Sequence, residues 1–175
     1  MNHPAAPRHI ILIGMPACGK STVGVLAAKT LGYRFIDSDL IIQERDGRRL
    51  HRIIREEGQE GFLKIEEAVN LTLGNDPVPS VIATGGSAVY SPAAMAHFKE
   101  IGTVVYLRLS FETVQKRLGN FTHRGVVMPA GYTLRDLYEE RCALYEKYAD
   151  ITVDEGQTDN IGAVLESLCA HFECD

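Results

Sequence analysis

The chain has 175 residues, 45% of them hydrophobic and 23% charged, which excludes intrinsic disorder, collagen-like repeats and a coiled coil. Eighteen basic against 23 acidic side chains leave a formal charge of −5, unlike the basic face of a general nucleic-acid binder. This length predicts one domain, 1–175, with a core large enough to need no staples.

Strand and helix signals then alternate along the chain. Residues 9–13 form a short apolar, β-branched run, as expected of a strand buried on both faces. Val23, Leu26, Ala27, Thr30 and Leu31 follow at helical spacing, and Gly32 supplies a stop. Residues 34–36 read as a second strand ending in Asp37-Ser38-Asp39. Helices are expected over 40–45, 50–57 and 59–73, punctuated by Gly47 and Gly58, with Phe62, Ile65, Val69 and Leu73 inward. A third strand over 80–84 is broken by Gly85-Gly86. Ser91-Pro92 then caps and opens a helix to about residue 99. A strand over 103–109 and a helix over 112–118 precede an aperiodic stretch, 120–132, read as a mobile lid. Thr133 and Asp136 resemble a capping box opening a helix to residue 148, before a strand at 151–153 and a helix over 161–172. Five strands interleaved with helices predict a three-layer α/β/α fold on a mostly parallel sheet.

Cys18, Cys142, Cys169 and Cys174 show no metal-ligand spacing. Residues 1–9 lack a signal-peptide pattern, and no apolar run approaches the roughly 18 residues of a membrane span. The expectation is a cytoplasmic monomer that binds neither nucleic acid nor membrane.

The strongest chemical signal is Gly14-Met15-Pro16-Ala17-Cys18-Gly19-Lys20-Ser21-Thr22, a G-x-x-x-x-G-K-[ST] pattern between a buried strand and an amphipathic helix. Such a turn aims successive backbone N–H groups into one concavity at a helix N-terminus, where phosphate binds. Lys20 would reach the β- and γ-phosphates of ATP, and the Ser21 hydroxyl would ligate Mg²⁺. The alternative is a chance glycine-rich turn. Without an N-K-x-D guanine motif, and short for a motor, the chain reads as a kinase whose acceptor the turn alone does not specify. A thiol among phosphate-binding amides also favours a reactive thiolate at Cys18, against the plainer reading of a tolerated small residue.

Further segments in order resemble shikimate kinases over about residues 8–155: F-I-D-S-D at 35–39, E-G-Q-E-G-F-x-x-x-E at 57–66, V-I-A-T-G-G at 81–86, G-T-V-V-Y-L at 102–107 and R-C-A-L-Y-E-K-Y-A-D at 141–150. The resemblance implies a P-loop fold of the nucleoside-monophosphate-kinase type with a lid closing over ATP, and phosphoryl transfer to a hydroxyl of a small metabolite, shikimate first. It implies that Asp39 binds and activates the acceptor hydroxyl and that Asp37 lies near Mg²⁺. Gly85, Gly86 and Ser87 would border the acceptor, and Arg141 would grip its carboxylate. Arg117 would pack on adenine, and Arg124 in the lid would reach the phosphates. Plainer alternatives are a helix cap at Ser38 or Asp39, a tight turn at Gly85-Gly86, and a surface salt bridge from Arg141 to Glu146 or Asp136. The two carboxylates, two residues apart at a strand end, are expected on one side of it.

The sequence also departs from the family pattern. Leu63 stands where the family has a second carboxylate-binding arginine, leaving Glu66 without the partner it would steady; Arg52 or Arg55 are candidate replacements, and Lys64 an imperfect one. Ser87 replaces the third glycine of the Ala-Thr-Gly-Gly-Gly run, and Ala17 the middle glycine of the phosphate turn, which reads as a mild change. Because the changes cluster on the acceptor side, a kinase of another polyol or hydroxy acid, gluconate-like, stays open, as does a non-catalytic ATP-binding regulator.

Overall fold

The computed structural model describes residues 9–119, 126–154 and 160–172. Its centre is a five-stranded parallel sheet in the order β2-β3-β1-β4-β5, formed by His9–Ile13, Arg34–Asp37, Ser80–Ala83, Gly102–Arg108 and Ile151–Asp154 numbered along the chain. Every residue of β1 is buried, which explains an apolar run with no alternation. The chain runs from β1 to the β2 edge and later crosses β1 to reach β4. This reversal opens a crevice beyond the carboxyl ends of β1 and β3, where open α/β sheets bind ligands.

Seven α-helices surround the sheet among the described residues: α1 (Lys20–Leu31), α2 (Ser38–Asp46), α3 (Leu50–Asn70), α4 (Pro92–Ile101), α5 (Phe111–Leu118), α6 (Leu134–Tyr148) and α7 (Ile161–Cys169), with a 3₁₀ turn at Ala88–Tyr90. α1 packs on α7, while α4 and α6 lie against β4. The expected caps are present. Ser91 Oγ accepts from the Ala94 amide at 3.0 Å, and Thr133 and Asp136 cap one another reciprocally. No described helix is long and apolar enough to cross a membrane.

Three local expectations change. The buried face of α1 is Val23, Gly24, Ala27 and Ala28, whereas Leu26 is 39% exposed and Thr30 is exposed. The close approach of the Phe35 ring to Gly24 turns the small residues inward instead. β2 ends at Asp37, so Asp39 belongs to the first turn of α2 and the alternation of a strand does not govern it. The two helices expected around Gly58 join as α3 with a break at that glycine (φ 70°), and α3 ends at Asn70 rather than residue 73. Arg48 binds Asp46 in α2 and Glu56 and Glu57 just before the break, fastening the first half of α3 to α2.

Gly102 pairs with His9, and a Cβ on it would lie 2.3 Å from the His9 carbonyl oxygen and 2.5 Å from Ile11 Cδ1. Its backbone is ordinary extended chain, so lack of space, not conformation, selects glycine here. Gly102→Ala should therefore destabilise the protein by about 1–3 kcal/mol in urea unfolding, because β1 and β4 must separate to admit one methyl group.

Candidate active site

The turn after β1 wraps back on itself and delivers Lys20 at the head of α1. Gly14 (φ 148°) passes so close to β4 that a Cβ would lie 2.7 Å from the Leu107 carbonyl oxygen, and Gly19 takes φ 88°. Lys20 is 8% exposed, and its Nζ donates to the carbonyls of Gly14 at 2.8 Å and Met15 at 2.9 Å. Ala17 has φ 65°, the left-handed region that disfavours a side chain. The exchange of glycine for alanine there is not mild.

A cavity of about 500 Å³ opens beside this turn. Pro16, Ala17, Gly19, Lys20, Ser21 and Thr22 line one side, with Arg117 and Leu118 from α5 above them. Asp39, Gly85, Gly86, Ser87 and Arg141 line the other, so most of the anticipated residues meet in one space. Met15 and Cys18 do not line it: both side chains are buried in the core, where Lys20 Nζ lies 3.7 Å from Cys18 Sγ. Arg124 lies outside the described residues.

Asp37 and Asp39 have separate tasks. Asp37 caps α2, its Oδ1 accepting from the amides of Asp39 and Leu40 at 3.0 and 3.4 Å, while its Oδ2 accepts from Ser21 Oγ at 2.5 Å. The cap is thus Asp37, not Ser38 or Asp39. Asp39 turns inward, and its Oδ1 is buried with no hydrogen-bond partner among the described residues. Burial, reinforced by the negative charge of Asp37 and opposed by Lys20, raises its pKa to about 6.

The turn after β3 is held from both sides. The Gly85 amide donates to Ser38 Oγ at 3.0 Å, and Tyr145 Oη donates to the Gly86 carbonyl at 2.6 Å. The Gly85 N–H, expected to meet the acceptor, is therefore already engaged. Glycine is required at this position because a Cβ would lie 2.2 Å from Glu66 Oε1 and 3.0 Å from Asp39 Oδ1. Nor is Glu66 left without a partner: Ser87 Oγ, expected at the acceptor or a cap, donates to its Oε2 at 2.7 Å. Glu66 Oε1 is buried and unpartnered, and burial is the main cause lifting this carboxyl to about 7, with Ser87 acting in the opposite direction.

Arg141 is 1% exposed and makes no surface salt bridge to Glu146 or Asp136. Its Nη2 donates to the Val127 carbonyl at 2.5 Å, its Nε donates to Tyr90 Oη at 3.3 Å, and the guanidinium faces the Tyr90 ring. Nη1 points toward Gly86, on the cavity side. Arg117 reaches the Ala17 carbonyl at 3.4 Å. Neither candidate replacement for the missing arginine enters: Arg52 pairs with Glu56 at 2.7 Å, Arg55 is 74% exposed, and neither lines the cavity. Ser38, Tyr90 and Tyr145, which hold the site residues in place, escape a motif-based reading because their roles depend on contacts 47 to 59 residues away in sequence.

Comparison with known proteins finds one family over nearly the whole chain. The shikimate kinase family model matches residues 16–171. The chain is 36% identical over 168 residues to a shikimate kinase of Paracidovorax citrulli, covering 94% of this chain and 91% of that one. It is 41% identical over 155 residues to one of Vibrio cholerae, covering 85% and 86%. Among solved structures, shikimate kinase from Acinetobacter baumannii in complex with shikimate superimposes with a TM-score of 0.82 at 30% identity, over 95% of this chain and 96% of that one.

Two outcomes follow from this geometry. Ala17→Gly relieves a left-handed alanine and should raise unfolding free energy by about 1 kcal/mol in denaturant titrations. Glu66 has a folded pKa of about 7 against an ordinary 4.5, so across that interval the native state keeps a proton that the unfolded chain releases. Its contribution to stability is present below the lower value and is lost as pH rises through the upper one. Glu66→Gln should therefore flatten the pH dependence of urea unfolding over that window relative to the parent; an unchanged slope would show an ionised native Glu66.

Proposed function

The chain belongs to the shikimate kinase family, and from that premise we propose that it transfers the terminal phosphoryl group of ATP to a ring hydroxyl of shikimate. The observation that carries this reading is the unpartnered, buried Oδ1 of Asp39 in the same cavity as Lys20 and the phosphate-binding turn. Burying a carboxylate oxygen without a donor is costly, and a hydroxyl supplied by the acceptor meets that need. Asp39 accepts the hydroxyl proton as the oxygen attacks phosphorus, and its raised pKa brings it closer to the working pH of a general base. Lys20 exchanges its two backbone carbonyls for the phosphate oxygens that gain charge in the transition state. The amides of the turn and the head of α1 hold the remaining phosphate oxygens. Arg141, fixed by Val127 and Tyr90, offers Nη1 to the shikimate carboxylate. Arg117 and Arg124 are assigned to the nucleotide.

Ser21 and Asp37 suit magnesium, since a hydroxyl and a carboxylate 2.5 Å apart present hard oxygen donors at the phosphate turn. Bound there, Mg²⁺ supplies charge neutralisation for the phosphates. Ser21 and Asp37 would hold it directly or through water, and Asp37 at the same time orients Asp39 by capping α2.

Leu63 supports a second, related reading. It leaves the acceptor carboxylate one arginine short, a loss of about 1.5–3 kcal/mol and more than tenfold in binding. A hydroxylated acceptor with a weaker carboxylate contact, gluconate-like, then competes. A coupled assay with MgATP and shikimate, quinate and gluconate distinguishes the two: shikimate should give the highest kcat/KM. Asp39→Asn should lower kcat on shikimate by about 10²–10⁴-fold while ATP affinity is retained. Full activity in that variant, or nucleotide binding without turnover of any acceptor, would sink the kinase reading.

A further inference from the structure

A second cavity, of about 240 Å³, opens between the later half of α3 and the 3₁₀ turn. Glu66 and Ser87 line both cavities, so the hydrogen bond between them is a shared wall. Asn70, at the end of α3, is wholly buried in the lining of this second space, and neither its Oδ1 nor its Nδ2 has a hydrogen-bond partner among the described residues. Each buried polar group left this way costs about 1–3 kcal/mol, and a carboxamide sets an acceptor beside two donors. Water can meet one such need, but a water molecule takes roughly 30 Å³, far less than the space present.

The other walls define what else fits. Leu63 supplies an apolar side, with the aromatic body of Tyr90 across the cavity. The lining carries the carboxyls of Glu60, Glu66 and Glu67, the last accepting from Ser91 Oγ, against the single ammonium of Lys64, a balance that disfavours an anion. We propose that this cavity is a ligand site distinct from the phosphoryl-transfer site, and that it takes a small uncharged molecule with an amide-type donor–acceptor edge on an apolar body. Asn70 pairs with that edge through one accepted and one donated hydrogen bond, while Leu63 packs against the body. An anionic counterpart of the same shape loses one of the two bonds, because a carboxylate offers no donor to Asn70 Oδ1, and meets the acidic rim.

The test is NMR titration of the full chain with benzamide and nicotinamide, each set against benzoate and nicotinate. The amides should shift the Asn70 side-chain N–H resonances, and the acids should bind about tenfold more weakly or less, a difference of about 1.4 kcal/mol. Asn70→Leu should abolish the amide response while ATP affinity is unchanged. Leu63→Arg, at a half-buried position, places a cation in the wall and should reverse the preference toward the acids at the Asn70 resonances with shikimate present to fill the acceptor cavity, a readout that stands even if Asn70→Leu fails to fold. Equal affinity for amide and acid, no Asn70 shift at the highest soluble concentrations, or an unaltered preference in Leu63→Arg would each overturn the proposal. None of these measurements depends on turnover, so they stand apart from the choice of acceptor.

Discussion

The structure depends on how closely two acidic side chains approach the backbone at Gly85. Asp39 comes from the start of α2 and Glu66 from the middle of α3, and both place an unpartnered oxygen where a Cβ on Gly85 would sit. Burial is the main cause that makes both carboxyls resist ionisation; the charge of Asp37 adds to the rise at Asp39, and that of Asp39 adds to the rise at Glu66. The arrangement persists because every other group around it is fixed. Ser38 and Tyr145 hold the glycine turn, Ser87 holds Glu66, and Asp37 holds the first turn of α2. Local electrostatic strain at a reactive centre, supported by a rigid surround, is the expected pattern for a preorganised site.

The two halves of the cavity are built from different materials. On the phosphate side the contacts are backbone groups at the end of a wholly buried strand, and one lysine whose position is set by carbonyls of the same turn. On the acceptor side they are long side chains converging from α2, α3, α6 and the turn after β3. The first half is therefore governed by backbone geometry, and the positions that constrain it are Gly14, Ala17 and Gly19. The second changes character with a single side chain such as Ser87, one of the positions where this chain departs from the pattern of the family.

The same division governs what the sequence makes legible. The five strands, the phosphate turn and the capped helix starts at Ser91 and Thr133 follow from local rules, and the structure contains them. The failures are non-local. Periodicity assigned Leu26 to the buried face of α1, but the Phe35 ring presses on Gly24 and rotates the helix. Ser87 lines the cavity as expected, but nothing nearby in sequence indicates that its hydroxyl also meets Glu66, 21 residues earlier. Arg141 read as a surface charge in its plainer interpretation, yet Val127 and Tyr90 enclose it from two other segments. Asn70 carried no sequence signal at all, since an asparagine near a helix end is ordinary until its burial is known.

The break in α3 carries a mechanical consequence. Leu50 lines the active-site cavity from the segment before Gly58, and Phe62 and Glu66 line it from the segment after. Arg48 fastens the first segment to α2 and Ile53 seats it in the core, as Phe62 and Val69 seat the second. The cavity is thus lined from both sides of one non-helical residue that has open space around it. The charges that bridge Arg48 to Glu56 and Glu57 are partly exposed and so weakened by dissolved salt, whereas the burial of Ile53 in the same segment is not, so ionic strength acts on the fastening to α2 and leaves the apolar seat in place.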